Sequence, residues 1–258
     1  MNRIDNNSYY WFVFYKDQLL LQKVGENYTI PYAKEAPVSV VRTLPVSMPD
    51  GTTVMAAFVE EPVVETNAYE FMGMRASYGR IDDLFYEQAG KASEIVHWDK
   101  HSQFCPACGT RTVLATPISK RCPSCHYEMF PSVSAAILVL IRKEDSILLV
   151  HARNFTGPFH SLVAGFLETG ETLEQCVERE VMEETGLMVT NIRYWGNQPW
   201  PYPSSLMVGF TADYESGELN LQDEELSSGA FYTRDSLPQL PRTLSLARKM
   251  IDWWVDQK

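Results

Sequence analysis

GFLETGETLEQCVEREVMEETGL, residues 165–187, passes from a glycine-containing turn into a helix crowded with carboxylates. Thr172 and Gln175 have the spacing of a capping box, in which each side chain satisfies a free backbone N–H of the other, so a helix is expected from about Leu173. Gly186 is its natural terminator. Leu173, Cys176, Val177 and Val181 fall on one apolar stripe, which makes Cys176 a small buried hydrophobe rather than a nucleophile. Glu180, Glu183 and Glu184 lie three and four positions apart, where like charges repel by a few tenths of a kcal/mol per pair. Such crowding predicts a cation held on that face, beside the turn at Gly165. Carboxylate oxygens suit hard ions, Mg²⁺ or Mn²⁺.

Outward from this helix, residues 131–258 alternate strands and helices. Strands are expected over 135–142, 147–152, 189–195, 206–214, 219–221 and 229–233, with a final amphipathic helix over 244–255. Gln198, Pro199, Trp200, Pro201, Tyr202, Pro203, Ser204 and Ser205 hold three prolines at alternate positions, which excludes helix and central strand. A stiff loop presenting Trp200 and Tyr202 to a flat base is one reading; a loop packing its aromatics inward is the other.

Cys105-Pro-Ala-Cys108 and Cys122-Pro-Ser-Cys125 stand thirteen residues apart. Each C-x-x-C turn brings two thiolates to one ion, and two turns supply tetrahedral zinc. Gly109 permits the positive φ that such a knuckle needs. Four sulfurs fill the coordination shell, so this Zn²⁺ is read as structural. His126 is a competing ligand, and a redox pair is the rival reading. Residues 1–100 form a separate α+β unit, with strands at 9–15, 19–21, 38–44 and 54–59 and a helix over 81–98. Arg75 and Lys23 are candidate phosphate contacts there, against the plainer reading of solvated surface cations. The organisation expected is therefore 1–100 as an N-terminal mixed domain, 101–130 as a zinc ribbon and 131–258 as the α/β domain.

The chain has 258 residues, 22 Lys and Arg against 33 Asp and Glu, and a net charge of −11. That balance argues against non-specific adhesion to nucleic acid or anionic membrane. No apolar run approaches the roughly 18 residues of a membrane span. The opening MNRIDNNSYY is not a secretory signal pattern, so a cytoplasmic location is expected and the cysteines are read as metal ligands or thiols.

Gly165, Glu171, Arg179-Glu180, Glu183-Glu184 and Gly186-Leu187, with the intervening spacings, resemble the Nudix box without a gap. The resemblance implies a C-terminal Nudix α/β/α sandwich and hydrolysis of a nucleoside diphosphate linked to another moiety. It implies Glu180 and Glu184 as Mg²⁺ or Mn²⁺ ligands, Glu183 near the metal and the attacking water, and Glu171 paired with Arg179. The stretch 198–205 resembles the S-Q-P-W-P-F-P-x-S motif of the NADH pyrophosphatase subfamily, with Tyr202 in place of Phe and Asn197 in place of Ser. That subfamily also carries an N-terminal domain and a four-cysteine ribbon.

From this resemblance follow the Ala164 carbonyl and Glu225 as further metal ligands, with Glu224 the fallback. Gln198–Ser205 become a dinucleotide-binding loop, and Phe130 and Phe166 become nicotinamide-stacking aromatics. Ala247 would line the partner's site in a homodimer. The activity implied is cleavage of NAD(H) to NMN and AMP, and removal of an NAD cap from RNA. An ADP-ribose or diadenosine-polyphosphate hydrolase, and a non-catalytic regulator sensing NAD or ADP-ribose, are the alternatives.

Overall fold

The computed structural model describes residues 8–62 and 66–257. Most of the opening stretch read above for a leader lies outside them. The chain divides into two compact units, residues 1–132 with 201–204, and 133–200 with 205–258.

In the first unit, β1 (Tyr9–Tyr15), β2 (Gln18–Val24), β3 (Asn27–Thr29), β4 (Tyr32–Ala33), β5 (Arg42–Ser47), β6 (Thr53–Phe58) and β7 (Tyr69–Gly73) form a seven-stranded sheet. The β1–β2 hairpin turns at Lys16-Asp17, pairing Phe14 with Leu19. Strand β5 begins at Arg42 and runs through Pro45 to Ser47, later than the expected 38–44. Proline is tolerated there because β5 is the edge of the sheet. Helix α1 (Met74–Ser77) is one turn, whereas α2 (Asp83–His101) is long, with the Asp82 side chain accepting the Leu84 N–H at its start. Ala89, Ala92 and Val96 of α2 are buried, and the helix packs on β1, β5 and β6. Strands β8 (Val113–Thr116), β9 (Ser119–Arg121) and β10 (Glu128–Met129) make a small antiparallel sheet.

The second unit is a sheet between two helices. Its strands are β11 (Ser134–Lys143), β12 (Ser146–Ala152), β13 (Val163–Phe166), β14 (Met188–Trp200), β15 (Ser205–Ser216) and β16 (Leu226–Thr233), in the order β14-β15-β11-β12-β16 with β13 on β11. Alternate residues of β11 face opposite ways, as the pleat requires. Ile137, Val139 and Ile141 join Cys176, Val177 and Val181 of α3 (Leu173–Thr185) in one core. Leu138 and Leu140 join Leu246, Met250, Ile251 and Trp254 of α4 (Leu246–Asp256) in the other. Both α3 valines are fully buried, each burial contributing roughly 1.5–3 kcal/mol. The α/β/α sandwich is thereby present.

Two expectations fail in this unit. Gln198, Pro199 and Trp200 belong to β14, paired with Met207, Leu206 and Ser205, so the true loop is only 201–204. The reason is that β14 is an edge strand, where a proline costs no ladder hydrogen bond. Residues 219–221 form no strand. The N–H groups of Asn220 and Gln222 instead bond to the carbonyls of Thr185 and Glu184, groups that a helix end leaves without partners.

Candidate active site and metal centre

Helix α3 starts and stops where its sequence says. Thr172 Oγ1 accepts the Gln175 N–H, Gln175 Oε1 accepts the Thr172 N–H, and Gly186 caps the helix in the left-handed region at φ 69°. Cys176 is fully buried, and burial pushes its thiol up to about 11, as suits a packing residue.

Arg179 organises the loop before the helix. Its Nε and Nη2 donate to Glu171 at 2.5 and 3.0 Å, and Nη2 also reaches the Phe166 carbonyl at 3.0 Å. Nη1 donates to Glu180 at 2.9 Å and to Glu183 at 3.1 Å. A bidentate pair of this kind is geometrically specific. The Arg179 side chain, and then the Glu168 N–H, hold the Glu171 carboxyl down to about 2. Glu183, with its side chain more than half exposed, faces Arg179.

Glu180 and Glu184 lie in a different environment. The carboxylate of Glu180 rests against Gly165, where a β-carbon would stand 1.8 Å from Glu180 Cδ. Burial raises the Glu180 carboxyl despite Arg179. Glu184 is buried, 6% exposed. Burial, then the charges of Glu180 and Glu225, then a hydrogen bond shared with Glu225, push it up to about 8. Glu225 arrives because the Gln222 N–H is tied to the Glu184 carbonyl and the Glu225 carbonyl accepts the Arg153 N–H. The structure thus brings Glu225 to Glu180 and Glu184. The charges of Glu180 and Glu225 beside Glu184 make this a cluster of carboxylates, the donor type that suits a hard divalent cation; among the described residues the four cysteines are the one group whose ligand atoms all lie within 4.8 Å of one another. Ala164 lies in β13 opposite Leu138, directly before Gly165.

The cysteine centre is tighter. The Sγ atoms of Cys105, Cys108, Cys122 and Cys125 all lie within 4.8 Å of one another, with 3.5 Å for Cys105–Cys125 and 3.4 Å for Cys108–Cys122. A tetrahedron with Zn–S of 2.3 Å has edges of about 3.8 Å, so the set fits zinc. The Thr110 side chain and backbone draw the Cys108 thiol down, while its neighbours in the cluster push the Cys125 thiol up. Gly109 and His126 both take positive φ, 73° and 63°, directly after the second cysteine of each knuckle. His126 therefore occupies the turn position of Gly109, and it is outside the ligand set.

The remaining candidates scatter. Phe166 and Phe130 are 61% and 57% exposed, in the second and first units respectively. Gln198 donates to the Leu244 carbonyl at 2.9 Å, and Ser204 to the Ser132 carbonyl at 2.8 Å. Ser205 is buried, and Pro203 exposed. Tyr202 is not a free ring awaiting a base. Its hydroxyl is hydrogen-bonded to that of Tyr86, and the Arg75 guanidinium sits 4.3 Å from its ring centroid. A β-carbon on Gly90 would meet Pro201 at 3.2 Å. Lys23 is paired with Glu70 at 3.2 Å. Ala247 is in the α4 core, 4% exposed. Sequence reasoning missed Tyr86, and no local signal marks it, since it lies 116 residues from its partner.

Residues 131–254 match the NUDIX domain, and residues 8–98 match the NADH pyrophosphatase-like rudimentary NUDIX domain. The chain is 42% identical over 211 residues to the NAD-capped RNA hydrolase NudC of Photobacterium profundum, covering 79% of each protein. It is 40% identical over 199 residues to the protein of the same description from Vibrio cholerae, covering 76% of this chain and 71% of the relative. A crystal structure of a NUDIX hydrolase from Nitrosomonas europaea superposes with a TM-score of 0.51 at 21% identity, covering 60% of this chain and 92% of that one. That likeness concerns the fold.

Proposed function

We infer that this chain, which belongs to the Nudix hydrolase family, hydrolyses the diphosphate of NAD(H) to NMN(H) and AMP, and removes the NAD cap from RNA as its relatives' names describe. The observation that carries the reading is the convergence of Glu180, Glu184 and Glu225 beside an intact Arg179–Glu171 clamp. Water adds to one phosphorus, the anhydride P–O bond breaks, and two phosphomonoesters leave.

Glu180, Glu184, Glu225 and the Ala164 carbonyl would hold Mg²⁺ or Mn²⁺, which neutralises a diphosphate and lowers the pKa of a bound water. Arg179 keeps Glu180 and Glu171 in place, so their orientation needs no rearrangement during reaction. Glu183, the most exposed of the α3 carboxylates that Arg179 touches, or Glu184 accepts the proton of the attacking water. Residues 198–205 bind the dinucleotide, and Phe166 and Phe130 offer exposed rings for stacking with nicotinamide. Zn²⁺ at the four cysteines stabilises the ribbon. A cytoplasmic homodimer is part of this reading, supported by the family resemblance. No helix among the described residues is long and apolar enough to cross a membrane.

The test is AMP release from NADH, NAD-capped RNA and ADP-ribose with Mn²⁺, for wild type and Glu184→Gln. A fall on the order of 100-fold or more in the variant is expected, the loss typical of a damaged metal site. Equal, slow release by both proteins overturns the assignment. Preference for ADP-ribose over both NAD substrates overturns its substrate half.

A further inference from the structure

We propose that the first unit carries a second, non-catalytic site that binds a nucleotide through its phosphate and its base. A groove of about 900 Å³ is lined by Lys16, Arg42, Lys100 and Arg111, with Glu60 as its one carboxylate. Four cations against one acid reverse the balance of a chain that has 22 basic and 33 acidic residues. Such a concentration of like charge is self-repelling and is relieved by an anion.

The surroundings leave this charge available. Asp99, wholly buried behind Arg42, is its nearest neutralising group, with an Nη2–Oδ1 distance of 3.1 Å. The same oxygen lies 2.7 Å from Lys120 Nζ, so one carboxylate is divided between two cations and also fixes Arg42 in position. Arg111 donates to the neutral Gln103 at 3.2 Å. Among the described residues, Lys16, Lys100 and Arg111 have no ion pair. Lys100 is partly desolvated, which lowers its pKa, and its Nζ stands 4.2 Å from the Phe58 ring centroid. A cation beside an aromatic face, within a cationic groove, is the combination that takes a nucleotide's phosphate and base together. The site is an open groove rather than an enclosed cavity, and the charge of its lining selects an anion.

The same chemistry is offered by a free nucleotide and by a nucleotide within single-stranded RNA. None of the lining residues belongs to the candidate active site, so binding here does not depend on the hydrolytic reading.

The experiment uses the full chain without added divalent metal. Binding of a short fluorescein-labelled single-stranded RNA with a 5′ hydroxyl is followed by anisotropy, and binding of AMP by calorimetry. Wild type is compared with Lys16→Gln/Arg111→Gln and with the charge reversal Lys16→Glu/Arg111→Glu, all at exposed positions. Expected is a rise in Kd of roughly tenfold for the neutral pair and more for the reversal. Losing two phosphate contacts also lowers the salt slope by about 1.4. Melting temperature and NADH hydrolysis stay as in wild type. RNA affinity lost in the variants with no AMP binding places the source in the strand; AMP affinity lost in parallel places it in free nucleotide. Binding of neither probe by wild type, or equal binding by wild type and both variants, overturns the proposal.

Discussion

The carboxylate of Glu180 occupies the space where a side chain on Gly165 would begin, and an added β-carbon would fall 1.8 Å from Glu180 Cδ. Strand β13 and helix α3 are held in register by this approach. Cys176 and Arg179 reinforce it by donating to the Phe166 carbonyl. Gly165→Ala must therefore push Glu180 out of the carboxylate cluster. We expect AMP release to fall on the order of 100-fold with circular dichroism and melting temperature little changed. A variant retaining half of the wild-type rate would show that the position of Glu180 is not critical.

Tyr86 and Arg75 hold Tyr202 within the first unit, and both tyrosine hydroxyls are pushed up by burial. Tyr86→Phe removes one hydrogen bond, worth about 1 kcal/mol net. The expected result is a KM for NADH raised about fivefold with kcat nearly unchanged. A drop in kcat at constant KM would assign the pair a different role.

The ribbon has little apolar core of its own: β8 is exposed along its whole length. Its order then depends on the four-sulfur centre. Metal analysis should find about one zinc per chain. Cys108→Ser/Cys125→Ser should lower the melting temperature and remove that zinc. Unchanged stability without zinc would make the cluster a set of free thiols.

Glu94 on α2 is half-buried, and burial pushes its carboxyl from 4.5 up to about 7. The folded state thus binds this proton more tightly than the unfolded state. Its contribution is fully present below pH 4.5 and is lost as pH rises through about 7. Glu94→Gln should match wild type near pH 4 and be more stable at pH 8, by roughly 1 kcal/mol once discounted for the water that still reaches the group. Urea titrations at the two pH values measure this. Equal curves at pH 8 would mean that Glu94 ionises freely.

What was legible followed from short-range pattern. The capping box at Thr172, the stop at Gly186 and the stripe of Cys176, Val177 and Val181 are local, and α3 obeys all three. The paired knuckles set the ligand type for Cys105 to Cys125 because sulfurs two turns apart on tight loops can hardly avoid meeting. The alternating readings failed where local rules have a tertiary exemption. Pro45 and Pro199 sit in strands because those strands are edges. Residues 219–221 read as a strand, yet the N–H groups of Asn220 and of the adjoining Gln222 serve the end of α3.

The sequence by itself determined helix α3 with its cap and its stop, the four-cysteine pattern and the buried strand over 135–142. Each depends on residues within a few turns of one another. Only the tertiary structure decided that the Gln222 N–H closes onto the Glu184 carbonyl and that Tyr202 is held by Tyr86 and Arg75. Those meetings depend on strand order, chain closure and burial, which bring together groups that no local spacing relates.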